Sequence, residues 1–174
     1  MKLNNSKKLT LAMLADIYQH LNIQGQVDPR LVRAAIQTGN TWALAWEYTS
    51  LQLEPERDQP REVDEVANVL GMWDRLEQSY TELTPEQQEH VKDVTGRPQV
   101  RFQGFDGGSE GNHLNIARFF ADYMARGAYL KGRDLDSHAP TLDTNRRMFT
   151  AFKRMESLGD NQLTAMQIID VLNA

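Results

Sequence analysis

The sequence predicts an all-α fold: a compact single-domain bundle of about seven helices. Apolar residues recur at three-to-four spacing through most of the chain, and helix-capping residues separate the periodic stretches. The strict alternation typical of strands is almost absent. A length of 174 residues with an apolar fraction of 40% fits one domain over residues 1–174 with a sizeable core.

The first part of the chain predicts three helices. Ser6 is the expected cap of the first helix. Asp28 followed by Pro29 is typical of a helix start, and Gly39 can close that second helix. The segment WALAWEY that follows is ambiguous between helix and strand, and we favour a short helix.

The middle of the chain contains the most regular helical pattern. Apolar residues repeat over about five turns within residues 63–80, and the interior glycine, Gly71, is expected to allow close approach by another element. Thr84 and Gln87 have the spacing of a capping box, in which each side chain binds the backbone of the other residue. Gly96 is the expected end of that helix.

The last part of the chain predicts one extended segment and three helices. Residues 99–105 show weak alternation and are expected to be extended. Helical spacing then runs from Leu114 to a predicted end at Gly127, and again from Leu142 to a predicted end at Gly159. Thr164 and Gln167 form a second capping box, which predicts a terminal helix.

Composition excludes several classes of site. The chain has no cysteine, so disulfides, thiolate nucleophiles and Cys-ligated metal sites are excluded. No stretch approaches the roughly 20 apolar residues that a membrane-spanning helix needs, and the N-terminus does not resemble a signal peptide. We therefore expect a cytoplasmic protein without a membrane partner.

The charge distribution argues against nucleic-acid binding. The formal net charge is -5, and residues 54–93 carry twelve Asp or Glu against four Lys or Arg. A late basic face consists of Arg146, Arg147, Lys153 and Arg154. We expect it to be solvated or to pair with the acidic segment; the alternative is recognition of a carboxylate or phosphate ligand by Arg146 or Arg147.

The segment FQGFDGGSEG, residues 102–111, combines four glycines with Asp106 and Glu110. Its spacing fits neither the dinucleotide fingerprint nor the P-loop. Glu110 and His113 have the i, i+3 spacing of di-iron bundles, but those proteins use several such motifs and this chain has one. We expect no metal and no cofactor, with the glycines bending the backbone, the two acids capping the following helix, and His113 at the surface.

Two further segments contain candidate residues. In SHAPTLDTNRRM, His138 is expected to have an extended backbone and a structural role, since it lies two residues before Pro140. In WALAWEY, Trp42 and Trp46 share a helix face beside Glu47. They suit core packing, which we favour, or the wall of a ligand site.

These segments, together with GFDGGSE and the ARFF helix entry, resemble the YfbU-like family of bacterial proteins from about residue 28 to the C-terminus. The resemblance implies a predominantly helical domain with a sensory or ligand-binding role. Some relatives join this domain to a DNA-binding module; the first 27 residues here are expected to form one helix, too few for a helix-turn-helix. The resemblance supplies no catalytic residues.

The sequence therefore favours a non-enzymatic domain that binds a small ligand or a protein partner, with homodimer formation through an apolar helix face. The candidate ligand-binding residues are Trp42, Trp46, Glu47, Asp106, Glu110, His138, Arg146 and Arg147. The alternative is a hydrolase or metal-assisted enzyme that uses Asp106, Glu110 and His138. An enzyme requires these side chains to converge on an open cleft, whereas a binding domain allows them to form caps and salt bridges.

Overall fold

A computed structural model describes residues 3–53, 59–156 and 162–174. These residues form eight α-helices: α1 (Asn5–His20), α2 (Pro29–Thr38), α3 (Trp42–Glu47), α4 (Arg61–Thr81), α5 (Pro85–Thr95), α6 (Gly111–Tyr123), α7 (Leu142–Glu156) and α8 (Ala165–Leu172). Two 3-10 helices span Thr49–Leu51 and Ala125–Leu130. All α-helices except α3 have at least eight residues, so the all-α prediction is confirmed.

The described part of the chain contains no strand, and its β-type pairing is one isolated parallel bridge between Phe105 and Asp136. The Phe105 amide donates to the Leu135 carbonyl at 3.0 Å, and the Ser137 amide donates to the Phe105 carbonyl at 3.2 Å. Phe105 is thus the one residue of the predicted extended segment that forms a bridge.

The locally encoded helix ends agree with the structure. The Asp28 side chain accepts from the Arg30 amide, and Gly39 ends α2 at φ +80°, in the left-handed region that favours glycine. Both predicted capping boxes form, one at Thr84 before α5 and the other at Thr164 before α8. Each of these ends is built from residues within a few positions of one another.

Three details of the sequence prediction are wrong. Asn4 rather than Ser6 caps α1, because its side chain accepts from the Lys7 amide, and asparagine caps as well as serine does. Helix α6 ends at Tyr123, and the chain continues as a 3-10 helix through Gly127. Gly71 is exposed, and a Cβ atom there would meet nothing within 4 Å, so none of the elements described here approaches it closely. The predicted helix end at Gly159 lies outside the described residues.

The residues group into two compact units: unit 1 comprises Met1–Arg61 and Phe119–Lys131, and unit 2 comprises Glu62–Arg118 and Gly132–Ala174. In unit 1, α2 packs against α1 and α3. Its buried aromatic cluster includes Trp42, Phe119 and Phe120. The prediction of a single domain remains a prediction.

Unit 2 contains the long acidic helix α4, with α8 packed against α5 and α7. The side chains that α4 buries include Val63, Val66, Leu70, Met72, Trp73 and Leu76. They recur every three or four residues, as the predicted stripe requires. Among the described residues, no helix combines the length and apolar character that crossing a bilayer demands, and the cytoplasmic location remains a prediction.

Candidate functional site

Glu110 is a buried carboxylate that immediately precedes α6, with 8% of its surface exposed. Oε1 accepts from the amides of Thr141 and Leu142 at 2.8 and 2.7 Å. Oε2 accepts from the Asp106 amide at 2.9 Å and from the Thr141 hydroxyl at 3.3 Å. The sequence predicted that this carboxylate caps α6, the helix that it precedes. That prediction is wrong, because the carboxylate caps the start of α7.

The turn before Glu110 is held by two aspartates. Asp106 Oδ2 accepts from the amide and the hydroxyl of Ser109 at 2.7 and 2.6 Å, and these bonds lower the pKa of the Asp106 carboxyl. Asp136 Oδ1 accepts from the amides of Gly107 and His138, which lowers the pKa of Asp136. Both acids thus stabilise loop backbone.

His138 differs from its prediction. Its φ is +53°, in the left-handed region, whereas an extended backbone was expected. Proline restricts the residue directly before it, here Ala139, and leaves the conformation two positions away free. The His138 ring is 78% exposed and lies 3.5 Å from Asp136 Oδ1. Glu110, in contrast, is buried, so these two residues of the enzyme alternative occupy different environments.

A salt-bridge cluster joins α4 to the start of α7. Arg146 donates through Nε and Nη2 to the two oxygens of Glu65, and His113 Nε2 lies 2.8 Å from Glu65 Oε2. The Arg146 hydrogen bond is the main cause of a lowered Glu65 pKa; burial opposes it and the His113 contact adds to it. His113 is buried, although a surface position was expected, and its ring packs 5.5 Å from that of Phe105.

The remaining sequence candidates have internal partners or lie in unit 1. Arg147 donates to the Ala174 main-chain oxygen and to the Thr144 hydroxyl. Trp42 is buried, and its indole donates to Asn40 Oδ1 at 3.0 Å. The Trp46 indole donates to Gln59, the Arg126 guanidinium lies 5.4 Å from its ring centroid, and Glu47 is half-buried.

Unit 2 also contains a cleft of about 140 Å³, which the sequence reasoning did not identify. Its lining includes Trp73, Arg97, Phe102, Thr144, Asn145 and Met148. Asn145 is only 3% exposed, and the Trp73 indole donates to its side-chain oxygen at 2.8 Å. Since an indole nitrogen can only donate, the atom that faces it must be Oδ1, which leaves the Asn145 NH₂ group on the other side.

Arg97 is the cation of this cleft. It is half-buried, and burial lowers the pKa of its guanidinium. Nη2 donates to the Leu172 carbonyl at 3.3 Å, and no acidic side chain within the described ranges pairs with it. The signal that could have pointed to Arg97 is its position directly after the helix-ending Gly96, where the chain leaves α5. Its separation from Asn145 in sequence hides their shared cleft.

No group of three or more acidic or histidine side chains is arranged to hold a metal in the part of the chain that is described. Glu110 and His113, the i, i+3 pair, bind different partners. Among these residues, every side-chain nitrogen or oxygen that is sealed from the surface has a hydrogen-bond partner.

The profile of the YfbU domain family matches residues 1–174. The chain belongs to the YfbU family. It is similar to UPF0304 protein MJECS11 of Methanocaldococcus jannaschii, with 26% identity over 114 residues. The match covers 63% of this chain and 65% of that relative, so it spans just under two thirds of the relative's length. The relative is archaeal, whereas the sequence resemblance implied bacterial proteins; the origin of this YfbU chain remains a prediction.

Proposed function

We propose that this YfbU chain is a non-catalytic binding domain that pairs with a second copy of itself through an exposed apolar face of α1. We call this surface the α1 face; it consists of Leu9, Met13, Leu14 and Ile17 of the helix and of Leu21, its C-cap. Each of these side chains is at least half exposed. A contiguous apolar surface on a helix is typical of a protein interaction site, and this face is the observation that carries the proposal.

The α1 face is distinct from the face that α1 uses inside unit 1. At 100° per residue, the five side chains fall within about 140° of the helix circumference. Ala15, the buried residue of α1, lies outside this arc, and the ion pair between Asp16 and Arg33 links α1 to α2 at 2.8 Å. Packing against α2 therefore uses one side of α1 and leaves the apolar arc uncovered.

The spacing of the α1 face suits a second copy. Leu9, Met13, Ile17 and Leu21 follow one another at i, i+4, which forms a ridge that packs against an identical ridge. The ridge is symmetric about its midpoint, so a twofold axis there would place Met13 of each copy near Ile17 of the other. An antiparallel arrangement also sets the helix dipoles in opposite directions.

The apolar area is of the right order for a dimer. Five half-exposed aliphatic side chains offer on the order of 500 Å², against about 800 Å² that each partner buries in an interface of standard size. The polar residues that flank the ridge can supply the rest, as the rim of an interface does.

Sedimentation velocity over a range of concentrations tests the proposal. We expect a dimer, and we expect Met13→Lys or Ile17→Lys to weaken it by at least tenfold, about 1.4 kcal/mol, because each places a charge at the centre of the apolar ridge. Met166→Lys is the matched control, since Met166 is an apolar side chain of α8 that is 64% exposed. Circular dichroism verifies that each variant folds.

A wild-type chain that remains monomeric at every concentration contradicts pairing with a second copy and favours a different protein as the partner. Equal dissociation by Met166→Lys and Ile17→Lys would also contradict it, because the effect would then not be specific to the α1 face.

The engagement of both Glu110 oxygens weighs against the alternative of a hydrolase that uses Asp106, Glu110 and His138. A general base needs a lone pair directed at substrate, and these lone pairs are directed at backbone amides.

A further inference from the structure

We infer that the cleft lined by Trp73, Arg97 and Asn145 binds a small organic acid through its carboxylate group. We call it the Arg97 cleft, with the lining residues named above. The residues of this cleft belong to unit 2, whereas those of the α1 face belong to unit 1, and the inference does not depend on pairing between copies.

The first observation is a buried amide with unused donors. Asn145 is 97% buried, and its oxygen is bound to the Trp73 indole. Its NH₂ group makes no hydrogen bond to any side chain or backbone atom of the described ranges. Every side-chain nitrogen or oxygen of the described residues that is fully sealed from solvent has a partner. The unpartnered Asn145 nitrogen is therefore not sealed, and a ligand can reach it from the cleft that Asn145 lines. A donor of a 97% buried side chain that has no protein acceptor can bind an acceptor on a ligand in that cleft.

The second observation is a positive charge on the same cleft. Arg97 has one carbonyl as its side-chain partner, which leaves most of its five N–H donors for a ligand. The described residues offer this side chain no other hydrogen-bond acceptor and no carboxylate partner. A guanidinium in partly desolvated surroundings binds carboxylates well, because its donors match two oxygens at once.

The walls of the cleft specify the rest of the ligand. The Trp73 and Phe102 rings lie 6.0 Å apart, and Met148 is buried beside them, so an apolar body can pack there. The volume of about 140 Å³ is close to that of a protein cavity that holds benzene, about 150 Å³. One cation and one neutral amide fit a singly charged head group better than a phosphate with two charges.

Benzoate is the probe, with benzamide as its neutral counterpart of the same shape. Isothermal titration calorimetry with the full chain should show benzoate binding with a dissociation constant on the order of a millimolar, given so few ligand atoms. Benzamide should bind at least tenfold more weakly, because it lacks the charge that Arg97 attracts.

Two variants assign the contacts. Asn145→Asp keeps an acceptor for the Trp73 indole and replaces the NH₂ donors with an anionic oxygen, so it should reduce benzoate affinity by more than tenfold. Arg97→Met removes the charge but keeps an apolar stem, and should reduce affinity by about tenfold. Arg101→Met is the control, because Arg101 is exposed and does not line the cleft; it should change affinity less than twofold.

Equal binding of benzoate and benzamide would overturn the inference, as would wild-type affinity in Arg97→Met. Absence of benzoate binding at millimolar concentration would also overturn it. If Asn145→Asp fails to fold, the Arg97→Met and Arg101→Met pair decides the outcome, since Arg97→Met removes only the part-buried bond to the Leu172 carbonyl and circular dichroism verifies that both variants fold.

Discussion

Glu110 and Asn145 are both buried polar residues of unit 2, but they use their polar atoms differently. The Glu110 carboxylate accepts from three backbone amides and one hydroxyl, so both of its oxygens are engaged within the protein. The Asn145 amide uses its oxygen internally, whereas its NH₂ donors have no partner among the described residues, and Asn145 lines a cleft. The comparison teaches that a buried polar residue indicates a ligand site only when part of its hydrogen-bonding capacity is left over.

The largest effect should come from Glu110→Ala. It leaves the amides of Asp106, Thr141 and Leu142 without their acceptor, and each buried unpaired amide costs about 1–3 kcal/mol. We expect the free energy of unfolding in urea to fall by at least about 3 kcal/mol. Glu82→Ala, at an exposed acid, should change it by less than about 0.5 kcal/mol. Equal losses of stability in the two variants would show that the hydrogen bonds accepted by Glu110 do not stabilise the fold.

Gly104→Ala should have the next largest effect. Gly104 lines the Arg97 cleft, and its carbonyl accepts from the hydroxyl of Thr141, a residue that Glu110 also binds. Gly104 therefore connects the cleft with the Glu110 cap. Its φ is +97°, and a Cβ atom would lie 1.9 Å from the Leu135 carbonyl oxygen. We expect a loss of about 2–3 kcal/mol in the free energy of unfolding, because backbone must move.

Gly71→Ala is the matched control for Gly104→Ala. A Cβ atom at Gly71 meets nothing within 4 Å in an exposed helix interior, so alanine should stabilise the protein by about 0.5–1 kcal/mol. Thermal unfolding measures both variants. Destabilisation by Gly71→Ala would instead support the sequence-based prediction that another element packs closely against Gly71.

The smallest effect is the pH dependence that Glu65 contributes. Arg146 lowers the pKa of Glu65 below its ordinary value of 4.5 in the folded chain. This stabilisation is therefore fully present above the ordinary value and is lost as pH falls through the lower, folded-state pKa. Glu65→Gln should reduce stability at neutral pH by about 1 kcal/mol.

The measurement is the difference in unfolding free energy between the wild-type chain and Glu65→Gln as the solution is acidified. That difference should begin to shrink below about pH 4.5, where the Glu65 carboxyl takes up a proton in the unfolded chain, and should vanish as pH falls through the lower pKa of the folded chain. Other carboxyls with lowered pKa values, such as Asp106 and Asp136, affect both proteins equally. A difference that stays constant with pH would mean that the Glu65 charge does not contribute.

Local chemistry explains which features the sequence could predict. The caps at Asp28, Thr84 and Thr164 each connect residues two or three positions apart, so the sequence contains both partners side by side. The helical periodicity of α4 is similarly visible without knowing what packs against it.

Long-range pairing explains what the sequence could not predict. Glu110 caps a helix whose first amides lie 31 and 32 positions later, and Trp73 meets Asn145 across 72 positions. Nothing in the neighbourhood of Asn145 marks it as buried or as half-satisfied. The missed cleft and the misassigned cap of Glu110 have this common origin, because both depend on which elements the fold brings together.

The cap provided by Glu110 also affects how the region opens to solvent. One carboxylate holds the amides of Asp106, Thr141 and Leu142, so a single side-chain rotation exposes all three. Hydrogen exchange at all three amides therefore depends on the same opening event, although they belong to two segments of the chain. We therefore expect the turn before α6 and the first turn of α7 to open as one cooperative unit of local unfolding.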